Sequence, residues 1–423
     1  MSKQQELIQK LCPYGVEYKK ISECFDVYNG MTGVSLKWKE SGNCKFIDYL
    51  NTYQNLKIDV SKKPFATVKN LNQNTVRQTD ILLTTASEVP EECAISSVVE
   101  DEIEDNVFLD DHLFGLHLKE EYKGLVNTTY INYYMKTPAF KRDVKKKVKG
   151  VTRFFVSPAG IASIEIPVPP LEVQEEIVRI LDNFTNLAAE LQAELQARQE
   201  QYEYYRNKLL TFNNVDRGGY TSVTWMKMSE IFEMKNGYTP SKAVTEYWEN
   251  GIIPWFRMED IRKNGRILSD SILHITPQAV KGGKLFHANS IILATTATIG
   301  EHALIIADSL ANQQFTNLSI RKSLSNALDM KYFYYYMFVI DDWCRNNTNV
   351  SGFASVDMRK LKNLLIPIPP LAEQKRIVSI LDKFDALVND LSHGLPAEIA
   401  AVQEQYEYYR NKLLSFPRTK ISA

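Results

Sequence analysis

Apolar positions follow two regimes that alternate along the chain. Residues 166–184 read IPVPPLEVQEEIVRILDNF, and from there apolar side chains recur at steps of four and three: Ile177, Leu181, Phe184, Ala188, Leu191, Leu195, Tyr202, Tyr205 and Leu209, with Arg198 as the one polar interruption. That is an a/d heptad seam sustained for over four heptads. Pro169-Pro170 stands where a helix can begin, because a first turn needs no backbone donor. The spacing predicts a helix of about 40 residues, roughly 60 Å long. A stripe of that length needs a partner beyond one small domain. The same pattern returns at Ile377, Leu381, Phe384, Val388, Leu391, Leu395, Ile399, Val402, Tyr406, Tyr409 and Leu413. Two successive steps of four, at Leu391, Leu395 and Ile399, form a stutter, and Gly394 and Pro396 fall there, so a break or kink is expected. Connectivity makes the pair antiparallel, since each helix must receive the chain from a globular region or hand it on; the alternative is that each helix docks on its own domain.

Between these segments the period shortens. Ile81–Thr85 (ILLTT) and Ser290–Thr296 (SIILATT) are β-branched runs beside turn signals, read as strands. Aromatic segments at Tyr130–Phe140 and Met330–Trp343 read as helical. The expected architecture is mixed α/β: two α/β domains separated by two long helices that form an antiparallel coiled coil, with a pseudo-two-fold internal repeat. The repeat is plain in the letters. Residues 366–384 read IPIPPLAEQKRIVSILDKF, and QEQYEYYRNKLL occurs at both Gln199–Leu210 and Gln403–Leu414. Val16–Gly30 and Val223–Gly237 match more loosely. Near-constant helical segments alternating with diverged domains separate geometry from specificity.

Composition adds limits. With 423 residues, 44% hydrophobic and 24% charged, the chain is an ordinary globular protein of about three domains. No apolar run suits a membrane span, and polar Met1–Lys10 has no signal-peptide core, so a cytoplasmic location is expected. Five scattered cysteines without a Cys-x-x-Cys pair fit reduced thiols, and six scattered histidines give no metal set. There is no Walker A motif, no Asn/Asp-Pro-Pro-aromatic motif, no His-Glu-x-x-His and no Gly-x-Ser-x-Gly, so catalysis by this chain is not expected. A net charge of −1 requires any nucleic-acid face to be local. Candidates for such a face are Lys145, Lys146, Lys147 and Lys149 in KRDVKKKVK, Arg153, Arg257, Arg262 and Lys263, with Gln313 and Gln314 offering amides to adenine edges. A solvated charge run, or a plain surface loop, is the competing account of each.

The pattern P-P-L-x-x-Q-x-x-I-V-x-I-L-D-x-F, at Pro169–Phe184 and Pro369–Phe384, together with QYEYYRNKLL, resembles the DNA-specificity (S) subunit of Type I restriction–modification systems. The resemblance implies target recognition domains at 1–165 and 213–365, helical regions at 166–212 and 366–416, and a tail at 417–423. It implies a sequence-specific, non-catalytic subunit that reads an asymmetric bipartite site in double-stranded DNA, one half-site per recognition domain. Two methylation (M) subunits would carry S-adenosylmethionine and methylate adenine, and restriction (R) subunits would use ATP and magnesium; this chain would hold no cofactor or metal. The competing readings are a non-enzymatic coiled-coil adaptor for other proteins and a self-sufficient enzyme.

Overall fold

The computed structural model describes residues 10–39, 41–212, 223–349, 354–390 and 393–419. The expected start of the second domain at 213, the seam residue Leu391, the polar opening up to residue 9 and the last four residues of the tail lie outside the described residues. The chain divides into two compact units, Met1–Glu190 with Ala400–Ala423, and Leu191–Ile399.

In the first unit a four-stranded antiparallel sheet runs in the order Phe25–Asn29, Leu113–Leu118, Ile81–Thr84, Ser96–Val98. All four residues of Ile81–Thr84 are buried, which is why this strand reads as a continuous apolar run. A second sheet has the order Val34–Lys39, Phe65–Val68, Cys44–Ile47, Val107–Leu109. The aromatic segment Tyr130–Phe140 is two helices, not one: α1 (Thr128–Met135) and α2 (Pro138–Lys145). Thr137 caps α2 through Phe140 N, and Pro138 cannot donate the bond that would continue α1. The long helix α3 (Leu171–Leu210) starts beside a two-stranded ribbon in which Glu17–Lys20 pairs with Glu165–Val168.

The second unit repeats the plan. Its five-stranded sheet is ordered Phe232–Asn236, Phe315–Ile320, Ser290–Ala294, His302–Ile305, Ile267–Leu268. Thr224–Lys227 pairs with Leu365–Ile368. Three strands, His274–Ile275, Ile253–Phe256 and Leu310–Ala311, make a smaller sheet, followed in chain order from Phe256 by α4 (Met258–Asn264). Next come α5 (Met330–Asn346), α6 (Leu371–Asn389) and α7 (Leu395–Leu413). The predicted break falls between α6 and α7. A Cβ on Gly394 would lie 2.6 Å from Ala386 O, so only glycine fits that corner.

Within each unit the repeated motif performs the same tasks. Gln174 is fully buried; its Nε2 donates to Pro169 O (2.6 Å) and Leu125 O (2.9 Å), and its Oε1 accepts from Asn127 N (2.8 Å). Gln374 makes the same set with Pro369 O, Ala327 O and Asp329 N. Asp182 accepts from Tyr133 Oη (2.6 Å) and Lys57 Nζ (3.1 Å), and Asp382 accepts from Tyr335 Oη (2.6 Å) and Lys331 Nζ (2.8 Å). The Gln and Asp of P-P-L-x-x-Q…I-L-D therefore fasten each helix to its own domain.

The seam serves both functions left open by the sequence. Ile177 and Leu181 are buried in the core of the first unit with Tyr130 and Phe114, and Ile377 and Leu381 in that of the second. Truncating a fully buried leucine such as Leu181 to alanine costs about 2–5 kcal/mol. Helix pairing takes over further along. In the first unit Phe184 stacks on Tyr409, ring centroids 5.4 Å apart, and Ala188, one turn on, shares a cavity with Gln403 and Tyr406, so the two helices run antiparallel. In the second, Tyr205 stacks on Phe384 at 5.5 Å while Leu195 is buried with Val388 and Leu395, again antiparallel. Tyr202 and Leu413 are buried, Leu191, Leu209 and Tyr406 are half-buried, and Tyr205 is 37% exposed, so it lies at the rim of the seam. Cys24, Cys44, Cys93 and Cys344 are buried free thiols, and burial pushes Cys24 up to about 11. Among the described residues no helix is long and apolar enough to cross a membrane.

Candidate nucleic-acid interface

The loosely repeated opening segment builds the same corner in both units. In the first, the strand Phe25–Asn29 ends at Gly30, whose N donates to Leu113 O (3.1 Å), and Met31 N donates to Leu109 O (2.8 Å). In the second, Gly237 N donates to Phe315 O (2.8 Å) and Tyr238 N to Ala311 O (2.9 Å). A Cβ would lie 1.9 Å from Asp110 O at Gly30 and 2.2 Å from Asn312 O at Gly237, so both corners need glycine for close backbone approach. Opposite each glycine is the same turn. Asp110 Oδ1 accepts from His112 N (2.9 Å), and Asn312 Oδ1 accepts from Gln314 N (3.0 Å), a side-chain–backbone ring that Asp and Asn favour.

The turns differ in what they display. In the second unit, exposed Gln313 accepts a hydrogen bond from Thr239 Oγ1, and half-buried Gln314 accepts one from Asn312 Nδ2 (3.3 Å). Asn312 N donates to Phe256 O (3.0 Å), which brings Arg257 to the same edge. Arg257 pairs with Glu259 (2.7 Å), and its Nε is buried without a partner among the described residues. In the first unit the turn carries Asp110, Asp111 and His112; Lys37 pairs with both carboxylates, and His112 Nδ1 lies 2.7 Å from Asp111. Burial acts to raise the Asp111 pKa, but hydrogen bonds from Lys37 and His112 hold it below the usual carboxylate range. Those three residues also have metal-ligand reach, but the Lys37 ammonium already occupies their carboxylates. Nearby, Gln73 Oε1 accepts from Thr32 N (2.7 Å) and Thr32 Oγ1 (3.0 Å). Sequence reasoning missed this corner; the signal was Gly30 matching Gly237 at the end of the weak repeat.

The lysine strip is divided. Lys145 pairs with Glu91 (2.8 Å) and Lys146 with Asp143 (2.7 Å), both exposed. Lys147, Lys149 and Arg153 are exposed, and Lys149 and Phe155 exchange backbone bonds of 2.9 Å around Gly150, bringing the last two cations into one loop. Arg262 and Lys263 are exposed on the last turn of α4. Trp255 and Phe256 are core residues.

The family model described as the Type I restriction modification DNA specificity domain matches residues 13–200 and 222–401. The EcoprrI specificity subunit of Escherichia coli is 52% identical over 206 residues, 47% of this chain and 51% of that relative, so the alignment spans about half of its length. The EcoR124I/EcoR124II specificity subunit of Escherichia coli is 39% identical over 299 residues, 68% of this chain and 71% of the relative. The solved S subunit of a Type I restriction–modification system from M. genitalium shares the fold at a TM-score of 0.54 and 13% identity, over 95% of this chain and 96% of that one. A chain from a structure concerned with assembly and conformational transition of the type I R-M system does so at 0.61 and 16%, over 95% and 98%.

Proposed function

Since the chain belongs to the Type I restriction–modification DNA specificity family, we propose that it reads a bipartite, asymmetric DNA site through two dissimilar corners built on one scaffold. As the specificity subunit it recognises the DNA target within the restriction–modification complex and is itself non-catalytic; S-adenosylmethionine and ATP are bound by the M and R subunits. The reading extends to two M subunits that methylate adenine, to R subunits, and to a cytoplasmic complex on double-stranded DNA.

One observation carries it. The same glycine corner and the same turn present Asp110-Asp111-His112 with Lys37 in one unit and Asn312-Gln313-Gln314 in the other. Identical backbones bearing different donors and acceptors are what two different half-sites require. Residues 1–165 would set one half-site and 213–365 the other, with 166–212 and 366–416 as the helical regions. The test is to supply the chain with its M subunits and S-adenosylmethionine and sequence the methylated product. Replacing residues 1–165 by those of a relative should change one half of the motif, and a change in both halves would refute the reading.

Lys147, Lys149 and Arg153 fit phosphate contacts, with Lys145 and Lys146 competing against their own carboxylates. Neutralising Lys145, Lys146, Lys147 and Lys149 should weaken all DNA sequences alike and flatten the salt dependence. Substituting Gln313 or Gln314 should instead relax one base pair by about 1–3 kcal/mol. Arg262 and Lys263 remain in the candidate set on exposure and charge, and half-buried Arg257 on its place beside Asn312.

A further inference from the structure

The duplicated helices leave a cavity in each unit beside the repeated QYEYYR segment, and the two differ in charge: one is lined by both signs, the other by cations without carboxylates among the described residues. In the second unit a cavity of about 1020 Å³ is lined by Arg206, Arg266 and Lys331 as well as by Asp382, Asp385 and Glu301, among others, so its charges are balanced within its own wall. The Arg206 guanidinium lies 4.2 Å from the ring centroid of Phe338, and the Asp385 carboxylate acts on it across the cavity. In the first unit a cavity of about 470 Å³ is lined by Lys136, Lys141, Arg410, Phe184, Thr185 and Tyr406, among others.

Arg410 is the repeat of Arg206, and Thr185 stands at the position of Asp385. Tyr130 and Tyr332 donate to equivalent carbonyls, Pro167 O and Pro367 O, and Tyr133 and Tyr335 to equivalent aspartates, so Lys136 on the first unit corresponds to Phe338. Two changes, Phe to Lys and Asp to Thr, therefore make the first cavity more positive by two charges. Among the described residues no carboxylate lines it. Among the described residues the Arg410 Nε is buried without a partner, while the rest of its guanidinium meets Tyr406 and Asn411, and the Lys136 ammonium donates to the uncharged carbonyl of Ser96. Removal from water, with repulsion from Lys141 and Arg410 added to it, brings the Lys136 pKa down to about 8. Lys136 and Arg410 are half-buried and Lys141 is exposed, and cations partly withdrawn from water favour a counter-charge that no residue on this cavity's wall carries among the described residues.

We propose that this cavity is a phosphate-binding site in which Lys136, Lys141 and Arg410 hold one phosphate group. Arginine and lysine on one oxyanion give charge-assisted hydrogen bonds, and Phe184 and Tyr406 supply an aromatic wall beside them. The phosphate belongs either to the DNA backbone or to a free phosphate ester. The proposal stands on the cavity alone and does not require the half-site reading.

The test uses the full chain with sodium phosphate against sodium chloride at matched ionic strength, followed by thermal unfolding and by phosphorus NMR titration. Phosphate should raise the unfolding temperature beyond chloride. Lys141→Gln, on the exposed mouth, should weaken phosphate by roughly ten- to a hundredfold, the scale of one hydrogen bond between charged partners. The double change Lys136→Phe with Thr185→Asp, which copies the other unit, should abolish binding. Displacement of the bound phosphate by duplex DNA assigns the site to a backbone phosphate, and retention assigns it to a free ester. Equal effects of phosphate and chloride, or unchanged affinity in Lys141→Gln, would overturn the proposal.

Discussion

Lys136 shows how far one side chain can be taken from its ordinary chemistry. Its folded pKa of about 8 lies below the unfolded value of about 10.4, so between those values the unfolded chain binds more protons. Stability from this group therefore rises as pH climbs through that window. Lys141, Arg410 and the Ser96 carbonyl are the groups that face it. Lys136→Met removes the buried charge, so urea unfolding should give the variant an advantage at about pH 7 that shrinks by about pH 9.5. A difference that stays constant would mean the ammonium is in contact with water. Above about pH 10 the sign reverses, because burial holds the Tyr28, Tyr130 and Tyr334 hydroxyls well above their usual range and the unfolded chain releases those protons first. None of this was legible in the sequence. Arg206 and Arg410 sit in identical dodecamers, and what distinguishes them are residues 338 and 136, which align only once the Tyr–Pro carbonyl bonds are seen. Lys145 and Lys146 were legible as cations, but not their pairing with Glu91 and Asp143, because charge runs do not reveal a partner across the fold.

Helices were the most legible elements, because their period is long and their punctuation strong. Pro169-Pro170 and the corner at Gly394 appear where the pattern puts them, and α3 is one helix from Leu171 to Leu210. Less legible was the division of labour along the seam: Ile177 and Leu181 look like coiled-coil positions but lie in a domain core, since a period of 3.5 and one of 3.6 cannot be told apart over two turns. The tandem units Ala188–Leu191 (AAEL) and Gln192–Leu195 (QAEL) lie within α3. Deleting Gln192–Leu195 removes about 6 Å of rise and about 40° of rotation beyond a full turn. Buried Leu195 is lost as well, so some stability goes with it. Methylated motifs from cells carrying the deletion should show the nonspecific spacer shortened by about one or two base pairs, at ~3.4 Å and roughly 35° per pair, with both half-sites intact. An active complex with an unchanged spacer would show that α3 does not set the distance.

At the scale of the molecule, the net charge of −1 conceals local contrast, with one cavity lined by cations and its counterpart by cations and carboxylates together. The composition of the units was not legible either, because nothing in a linear pattern says that Ala400–Ala423 belongs with Met1–Glu190. Leu413, Leu414 and Phe416 are buried in the first unit's core with Phe25, Ile81 and Tyr130. Val16 N donates to Pro417 O (2.9 Å), and Thr419 N returns a bond to Val16 O (3.1 Å). Ending the chain after Ile399 should open that core while sparing the other. Hydrogen exchange would then show lost protection in Ile81–Thr84 and retained protection in Ser290–Ala294; equal protection in both would mean the closing segment is dispensable. Synthesis runs from the N-terminus, and domains usually fold in that order. Here the order inverts. The first unit to emerge from the ribosome must wait for its last strip of core while about 210 further residues are made, roughly ten to forty seconds at about 5–20 residues per second. The second unit, contiguous in the chain, has all its parts in hand before the first can close.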